Sequence, residues 1–316
     1  MSIVELLNRL IPAFADASSL ALVTLAIVLI FRTSFTTNFA QGMISASAAY
    51  VTTILYNHVL LSRFPNGNIF LMIIISFITG ITIGFLLGVF IDVVIIRKSK
   101  YTTVLTKQMI TMGVVLFLMG LLPTLFFKAE LNMPTIPYFF KQTNIYMVFG
   151  KRLMIQQNHI YSIIVATVVI SAVFIALKYT KWGLGVRSTA ANETVAQMMG
   201  VNTKVITALS WGIAGALGSL GAIMYATSQT VSSYMMTEMQ VNGFLAAILG
   251  GFGTFFGPVI GAIIIPVLST LSYIYTNKIG TGSLGVYYKA FVYVIILLII
   301  LIKPVGLFGK KHVKKV

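Results

Sequence analysis

The sequence predicts an all-α, polytopic transmembrane helical bundle of eight or nine membrane segments, with one short cytoplasmic helix between two of them. Three observations carry this expectation. Of 316 residues, 58% are hydrophobic and only 9% are charged, whereas a soluble domain carries roughly 25% charge. Stretches without Asp, Glu, Lys or Arg run over 33–62, 64–91, 205–237 and 239–277, each longer than the roughly 20 apolar residues of a spanning helix. The 22 Lys and Arg against six Asp and Glu fall in short runs beside apolar segments. Loop charge in membrane proteins is arranged this way, whereas a nucleic-acid-binding domain concentrates basic residues on one face. A soluble enzyme, a secreted disulfide scaffold and a nucleic-acid-binding domain are all excluded. With no cysteine there is no disulfide, thiolate metal site or Cys nucleophile.

Residues 1–16 contain Glu5, Arg9 and Asp16 and lack the basic-then-apolar order of a signal peptide, so the first apolar stretch, 10–31, is expected to remain as a helix. Hydropathy and helix breakers place the others at 38–61, 69–96, 104–127, 159–178, 205–226, 241–256, 258–277 and 286–303. The stretches at 241–256 and 258–277 meet at Gly250-Gly251-Phe252-Gly253 and Gly257-Pro258. They read either as two helices or as one broken, re-entrant unit. Residues 1–316 form one domain with no repeat or soluble appendage.

Lys and Arg are retained on the cytoplasmic side. One set of loops holds fourteen of them, including Arg97, Lys98, Lys100, Lys310, Lys311, Lys314 and Lys315; the other set holds eight. The expected orientation puts the C-terminus in the cytoplasm and the N-terminus outside a cell membrane that the chain crosses many times. The loop 128–158 then faces outward and the loop 179–204 inward.

The inward loop predicts a short helix. Ser188 or Thr189 can cap it, Glu193 lies near the first turn where the helix dipole favours an anion, and Gly200 supplies a stop. Asn202 or Thr203 can then cap the next span. Ala191, Val195, Met198 and Met199 follow at i, i+4, i+7 and i+8, one apolar stripe. Two or three turns are marginal alone in water, so the stripe lies against the bilayer surface, the bundle or a partner. It has no Trp, Phe or Leu, which makes it a poor lipid anchor. A small ridge offered to a groove is the sharper reading.

Thr36, Thr37, Asn38 and Gln41 form a polar string where the second span should begin. Polar side chains at membrane depth pair or line water, so Asn38 either caps the helix or faces a translocation path with Gln41, Gly42 and Tyr50. Ala214, Gly218 and Ala222 at four-residue spacing favour close helix packing over substrate contact. The 250–261 string cannot be one regular helix, and irregular backbone at membrane depth must be covered by protein or water. A hinge at Gly250, Gly251, Gly253 and Gly257 is favoured over a binding site. Asp92, five residues before Arg97, reads as interfacial rather than as a proton relay. His58 and His159 lack a partner at metal-ligand spacing, and no Gly-x-x-x-x-Gly-Lys-(Ser/Thr) phosphate loop exists. No catalytic residue, metal site or cofactor is expected in this chain.

Four blocks carry a resemblance over about residues 20–312. Thr180, Lys181, Gly183, Arg187, Ser188, Ala190, Ala196, Gly200, Val201 and Asn202 fill a Thr-Arg/Lys-x-Gly-x-x-x-Arg-(Ala/Ser)-x-Ala pattern and the Ala-x-x-x-Gly-(Ile/Val)-Asn that follows it. Asn38-Phe39-Ala40-Gln41-Gly42 with Ala49-Tyr50-Val51, the Gly-rich string from Gly250 to Gly261, and Lys303-Pro304-Val305-Gly306-Leu307-Phe308-Gly309 complete the set. In this order they resemble the permease subunits of bacterial ABC importers of the branched-chain amino acid type. One departure is Met43, where many such permeases carry Glu, which removes a polar pathway group.

The resemblance implies a permease moved by two cytoplasmic ATPase subunits that use the ATP, paired with a second permease subunit and fed by an external solute-binding protein. It implies coupling to the ATPases through Arg187, Ala191, Glu193 and Val195, with Ala196, Met199 and Gly200 beside them. Similar permeases handle branched-chain and other amino acids, urea, short amides and nucleosides, as homodimers or heterodimers, so substrate and pairing stay open. The competing class is an ion-gradient-driven secondary transporter or channel for a small polar solute. Such proteins place ionisable groups inside the membrane, and Asp92 is the candidate.

Overall fold

The computed structural model describes residues 3–99, 103–130, 143–148, 150–279 and 287–309. Lys100, residues 131–142 of the loop expected outside, and the Lys-rich 310–316 lie outside the described residues. Among those described, seven helices are long and apolar enough to cross a membrane. Two shorter helices, Met235–Gly250 and Tyr288–Ile302, occupy the places of the remaining predicted stretches.

Helix α1 (Ile3–Ser34) begins seven residues earlier than its apolar run. Glu5 explains part of this extension, because it pairs with Lys151 at 2.7 Å. In its most apolar window 83% of α1 is buried, so α1 is the central post of the bundle. Helix α2 (Gln41–Ile54) passes through a π-helical turn (Leu55–Leu60) into α3 (Leu61–Arg63). Its serines and threonines do not line water. Ser45, Ser47, Thr52 and Thr53 are buried, and each hydroxyl donates to the carbonyl four residues back.

Helix α4 (Ile69–Phe90) starts at Asn68, whose side chain accepts from the Phe70 and Leu71 amides, and ends in a second π-helical turn, Ile91–Ile96. Next come α5 (Val104–Glu130) and α6 (Gln157–Tyr179). Only 17% of the apolar window in either is buried. Leu116, Phe117, Val168 and Ile175 project outward, as lipid-facing side chains do.

Between α5 and α6 the bundle carries a β-hairpin that the sequence reading missed. Strands β1 (Thr143–Val148) and β2 (Lys151–Gln156) pair antiparallel from Thr143 opposite Gln156 to Val148 opposite Lys151. Asn8 of α1 holds the hairpin, donating to the Arg152 carbonyl at 3.0 Å and accepting from the Met154 amide at 2.8 Å.

Two short helices follow, α7 (Lys181–Ala191) and α8 (Glu193–Met198), then α9 (Thr203–Tyr225). α9 meets α4 along glycine. A Cβ on Gly215 would lie 2.1 Å from the Gly84 carbonyl oxygen, and one on Gly88 would lie 2.2 Å from that of Trp211. Backbone touches backbone here, as small residues permit.

Helices α10 (Met235–Gly250) and α11 (Phe256–Ile279) form a helical hairpin, with Gly250 against Gly257 and Gly261 against the Ala246 carbonyl. α10 starts six residues before the predicted 241 and ends at the Gly pair. Its polar first turn is tolerated because Glu238 pairs with Lys289 at 2.6 Å at the start of α12 (Tyr288–Ile302).

Candidate functional site

Three assemblies collect the residues singled out by sequence: the 180–203 loop, the α1–α2 break and the 250–257 turn.

The loop is not one helix but two, and its caps are not Ser188 or Thr189. Thr180 begins α7 by accepting from the Gly183 amide at 3.1 Å, and its hydroxyl also donates to Ala176 at 2.6 Å. Ser188 is already inside that helix, donating back to Gly185 at 2.9 Å, and Thr189 is buried. Arg187 folds back onto the last turn of α6, donating to the Lys178 carbonyl at 3.2 Å, where a cation complements the helix dipole.

Asn192, in extended conformation (φ −163°, ψ 112°), breaks the chain and restarts it. Its side chain accepts from the Val195 amide at 3.1 Å. Glu193 then occupies the first turn of α8, as expected. Gly200 (φ +84°) ends the helix. The Val201 amide reaches back to Ala196 and the Gly200 amide to Gln197, each at 3.0 Å, which is the paired-bond stop that a left-handed glycine allows. Asn202 caps α9, accepting from Val205 at 3.2 Å.

These bonds fix which side of α8 faces where. Val195, Met198 and Met199 are 51%, 81% and 80% exposed, while Ala196 is 3% exposed and faces the protein. Ala191 and Arg187 are exposed on α7. Glu193 borders a polar cavity of about 510 Å³ shared with Asp92, Arg97, Lys107 and Trp211. At that cavity Arg97 ion-pairs with Asp92 and donates to the Lys204 carbonyl and, at 3.1 Å, to Thr207. The end of α4 is thereby tied to the first turn of α9, directly after the loop. The sequence reads Asp92 as interfacial; the ion pair with Arg97 and the link to α9, 107 residues away, appear only in the structure.

The α1–α2 break lies inside the bundle. Phe35 takes a left-handed φ of +50° at the end of α1, a conformation that strains a bulky residue. Asn38 is fully buried and accepts from the Ala40 amide at 2.9 Å, a local turn one residue short of the helix start. Its amide donates to Gln41 at 3.3 Å, and Gln41 in turn donates to the Ala214 carbonyl of α9 at 3.0 Å. Gly218 makes room for this: a Cβ there would lie 2.2 Å from the Gln41 amide nitrogen. Gln240 of α10 spans the break, donating to the Phe39 carbonyl at 2.5 Å and accepting from the Gly42 amide at 2.7 Å. Tyr50, fully buried, meets Ser233 at 3.2 Å. All four pathway candidates are therefore enclosed by protein.

The 250–257 turn is covered by the chain's own tail. Gly251 (φ +96°) reverses the backbone after α10, and Thr254 accepts from the Gly257 amide at 3.3 Å. The Leu307 and Phe308 amides donate to the Leu249 and Gly250 carbonyls at 2.7 and 3.2 Å, satisfying the end of α10. Gly253 stands in open space. The hinge and tail blocks, about fifty residues apart in sequence, make one structure.

Among the described residues no group of three or more His, Asp or Glu could hold a metal. No nucleophile–base pair lies in these assemblies. What they offer is a bundle with a stitched break, a covered turn and a rigid external ridge.

Comparison with known proteins finds one family over nearly the whole chain. The family described as "Branched-chain amino acid transport system / permease component" matches residues 10–301. The chain is 23% identical to the high-affinity branched-chain amino acid transport system permease protein LivH of Escherichia coli K12, over 98% of this chain and 97% of that one. It is 23% identical to the corresponding permease BraD of Pseudomonas aeruginosa, over 98% of each chain. It is 25% identical to a probable branched-chain amino acid transport permease protein LivH of Methanocaldococcus jannaschii, over 94% of this chain and 90% of that one.

Proposed function

Because the chain belongs to the branched-chain amino acid transport system permease family, and is thus a multi-pass permease subunit of an ABC importer, we propose that it carries branched-chain or related apolar amino acids inward and takes its power stroke through α8. The end of the bundle bearing α7, α8 and the C-terminus faces the cytoplasm, and the β-hairpin end faces outward. Two ATPase subunits engage the inner face, a second permease completes the path, and an external solute-binding protein delivers the substrate.

The single observation that carries this reading is the ridge of Val195, Met198 and Met199, exposed on a helix pinned at both ends by Asn192 and Gly200. An apolar ridge on a rigid mount suits a groove on a soluble partner. Gly200 turns the chain straight into α9, and Arg97 ties the first turn of α9 to α4, so a push on α8 reaches both. Ala196 anchors the ridge from within, Glu193 faces the polar cavity, and Arg187 with Ala191 flanks the docking face. The Gly250, Gly251, Gly253 and Gly257 turn is the hinge about which α10 and α11 move. Asn38, Gln41, Gly42 and Tyr50 form the closed section of the path in this state. Asp92, on which an ion-gradient mechanism would lean, is committed to Arg97.

The test is Met198→Asp and Met199→Asp in the assembled importer. A buried, unpaired charge in an interface is costly, so ATP hydrolysis stimulated by substrate-loaded binding protein should fall about tenfold or more. Unchanged stimulation in both variants would remove the lever role.

A further inference from the structure

A cavity of about 670 Å³ opens between α1, α10, α11 and α12 at the hairpin end, apart from the ridge, the stitched break and the tail-covered turn. Its size falls in the roughly 300–1,000 Å³ range of small-molecule sites. One wall is a single stripe of α1: Arg9, Pro12, Ala13, Asp16 and Leu20, at the spacing that shares a helix face.

Asp16 has no hydrogen-bond or ion-pair partner among the described residues. It lies about 20 Å along α1 from Ile3 at 1.5 Å per residue, within an apolar span. An ionisable group so placed marks a site unless it is paired. Across the cavity Lys289 bonds Glu238 at 2.6 Å, and Arg9 lies 5.4 Å over the Tyr273 ring and makes no ion pair among the described residues. Two cations and two carboxylates balance, so the cavity favours neither a simple anion nor a simple cation.

The polarity is also ordered in depth. Arg9, Asp16 and Lys289 are exposed, with Asp16 two helical turns along α1 from Arg9, while Leu20, Met239, Ile265 and Val292, all under 9% exposed, form an apolar floor. Pro12 and Pro266 lie inside α1 and α11, both continuous helices, on the cavity walls. Each removes one intrahelical hydrogen bond beside the cavity.

We propose that this cavity is a binding site within the permease for a zwitterionic amino acid with an apolar side chain. Asp16 takes the ammonium, Arg9 and Lys289 draw the carboxylate toward the mouth, and the side chain rests on the Leu20–Val292 floor. The proposal rests on the importer reading and gives this chain its own contact with the substrate between the binding protein and the path.

The test is equilibrium binding of radiolabelled L-leucine to the assembled importer in nanodiscs without binding protein. Competitors are L-leucinamide, which lacks the carboxylate, and 4-methylpentanoate, which lacks the ammonium. Leucine should bind saturably in the millimolar range and compete about tenfold or more better than either, as expected for charge-assisted contacts at both ends. Asp16→Asn should weaken leucine about tenfold and leave 4-methylpentanoate unchanged, with Asp16→Glu partly restoring leucine. Leucine binding that is unaltered in Asp16→Asn, or that is no better than 4-methylpentanoate, overturns the assignment. If Asp16→Asn does not assemble, Leu20→Trp reads the same site from its floor: it should exclude leucine, and normal binding overturns the proposal. Basal ATP hydrolysis by the wild-type assembly separates the two readings. An assembly that does not hydrolyse ATP fails as an importer; one that hydrolyses ATP and imports while leucine ignores Asp16 and Leu20 fails only here.

Discussion

The side chain of Gln240 closes on the backbone of Gly42 from 198 residues away, accepting its amide at 2.7 Å while donating to the Phe39 carbonyl two residues before the start of α2. One amide side chain thus replaces the backbone partners that the interrupted helix lacks. Gly42 leaves room for this, since a Cβ there would lie 2.2 Å from the Gln240 oxygen and displace it.

Gln240→Ala should therefore destabilise the protein by about 1–3 kcal/mol, the cost of leaving buried backbone groups unsatisfied. Gly42→Ala should also destabilise it, by displacing the Gln240 side chain, but should cost less once Gln240 is already Ala, because the clash is then gone. Thermal unfolding in detergent, arranged as a double-mutant cycle, reads the coupling. Additive losses would show that the two residues do not act together.

Much of this arrangement was legible in the sequence, and the remainder was hidden for definable reasons. The apolar runs located the spans because lipid demands about 20 apolar residues whatever the fold. Glu193, Gly200 and Asn202 (one of two caps the sequence offers, with Thr203) are legible because dipole placement, helix stop and cap are local in sequence. Ser188 and Thr189 misled as caps because Thr180 and Asn192 have the same chemistry a few residues away. The start of α10 was placed late because Glu238 and Gln240 look like loop residues until their partners Lys289, Phe39 and Gly42 are known. Asp16 reads in the sequence only as one of three charges near the start of the first span; the cavity it lines with α10, α11 and α12 is set by packing that no local pattern encodes. The β-hairpin is secured to α1 by Asn8, a contact no local pattern encodes.

Arg97 bonds Asp92, the Lys204 carbonyl and Thr207, and the Asp92 side chain is only 6% exposed. Arg97→Met leaves that carboxylate buried and uncompensated, which costs about 3–5 kcal/mol. Adding Asp92→Asn should recover most of the stability but not the coupling between ATP hydrolysis and uptake, because the tie from α4 to α9 stays cut. Measuring thermal stability and the ratio of transport to hydrolysis in the same preparations separates the two effects. Full recovery of both would make Arg97 a structural counter-ion only.

Gly200 has open space around its Cα but a φ of +84°, so any loss on substitution is conformational. Gly200→Ala should cost about 1–2 kcal/mol, and Gly200→Asn less, since Asn tolerates the left-handed region better. Gly200→Val should be the worst of the three. Binding-protein-stimulated ATP hydrolysis should follow the same order, because α8 and α9 meet at this turn. Equal activity in the Asn and Val variants would mean that the left-handed turn is not needed for coupling.

The tail prediction follows from two backbone bonds. Leu307 and Phe308 donate to Leu249 and Gly250, the last carbonyls of α10, while Gly306 (φ +85°) brings the tail so close that a Cβ would lie 2.5 Å from the Gly251 nitrogen. Gly306→Ala meets both the unfavourable φ and that clash, so it should destabilise by about 2 kcal/mol or more. Truncation after Pro304 should do comparable damage by exposing the end of α10. Because the bonds grip the 250–257 turn, the truncated permease should also hydrolyse ATP with a weaker response to binding protein. Truncation leaves Lys303 and its helix in place, so a loss of stability would trace to the tail rather than to α12. A truncated chain with native unfolding temperature and native stimulation would show that the tail rests on the hinge without restraining it.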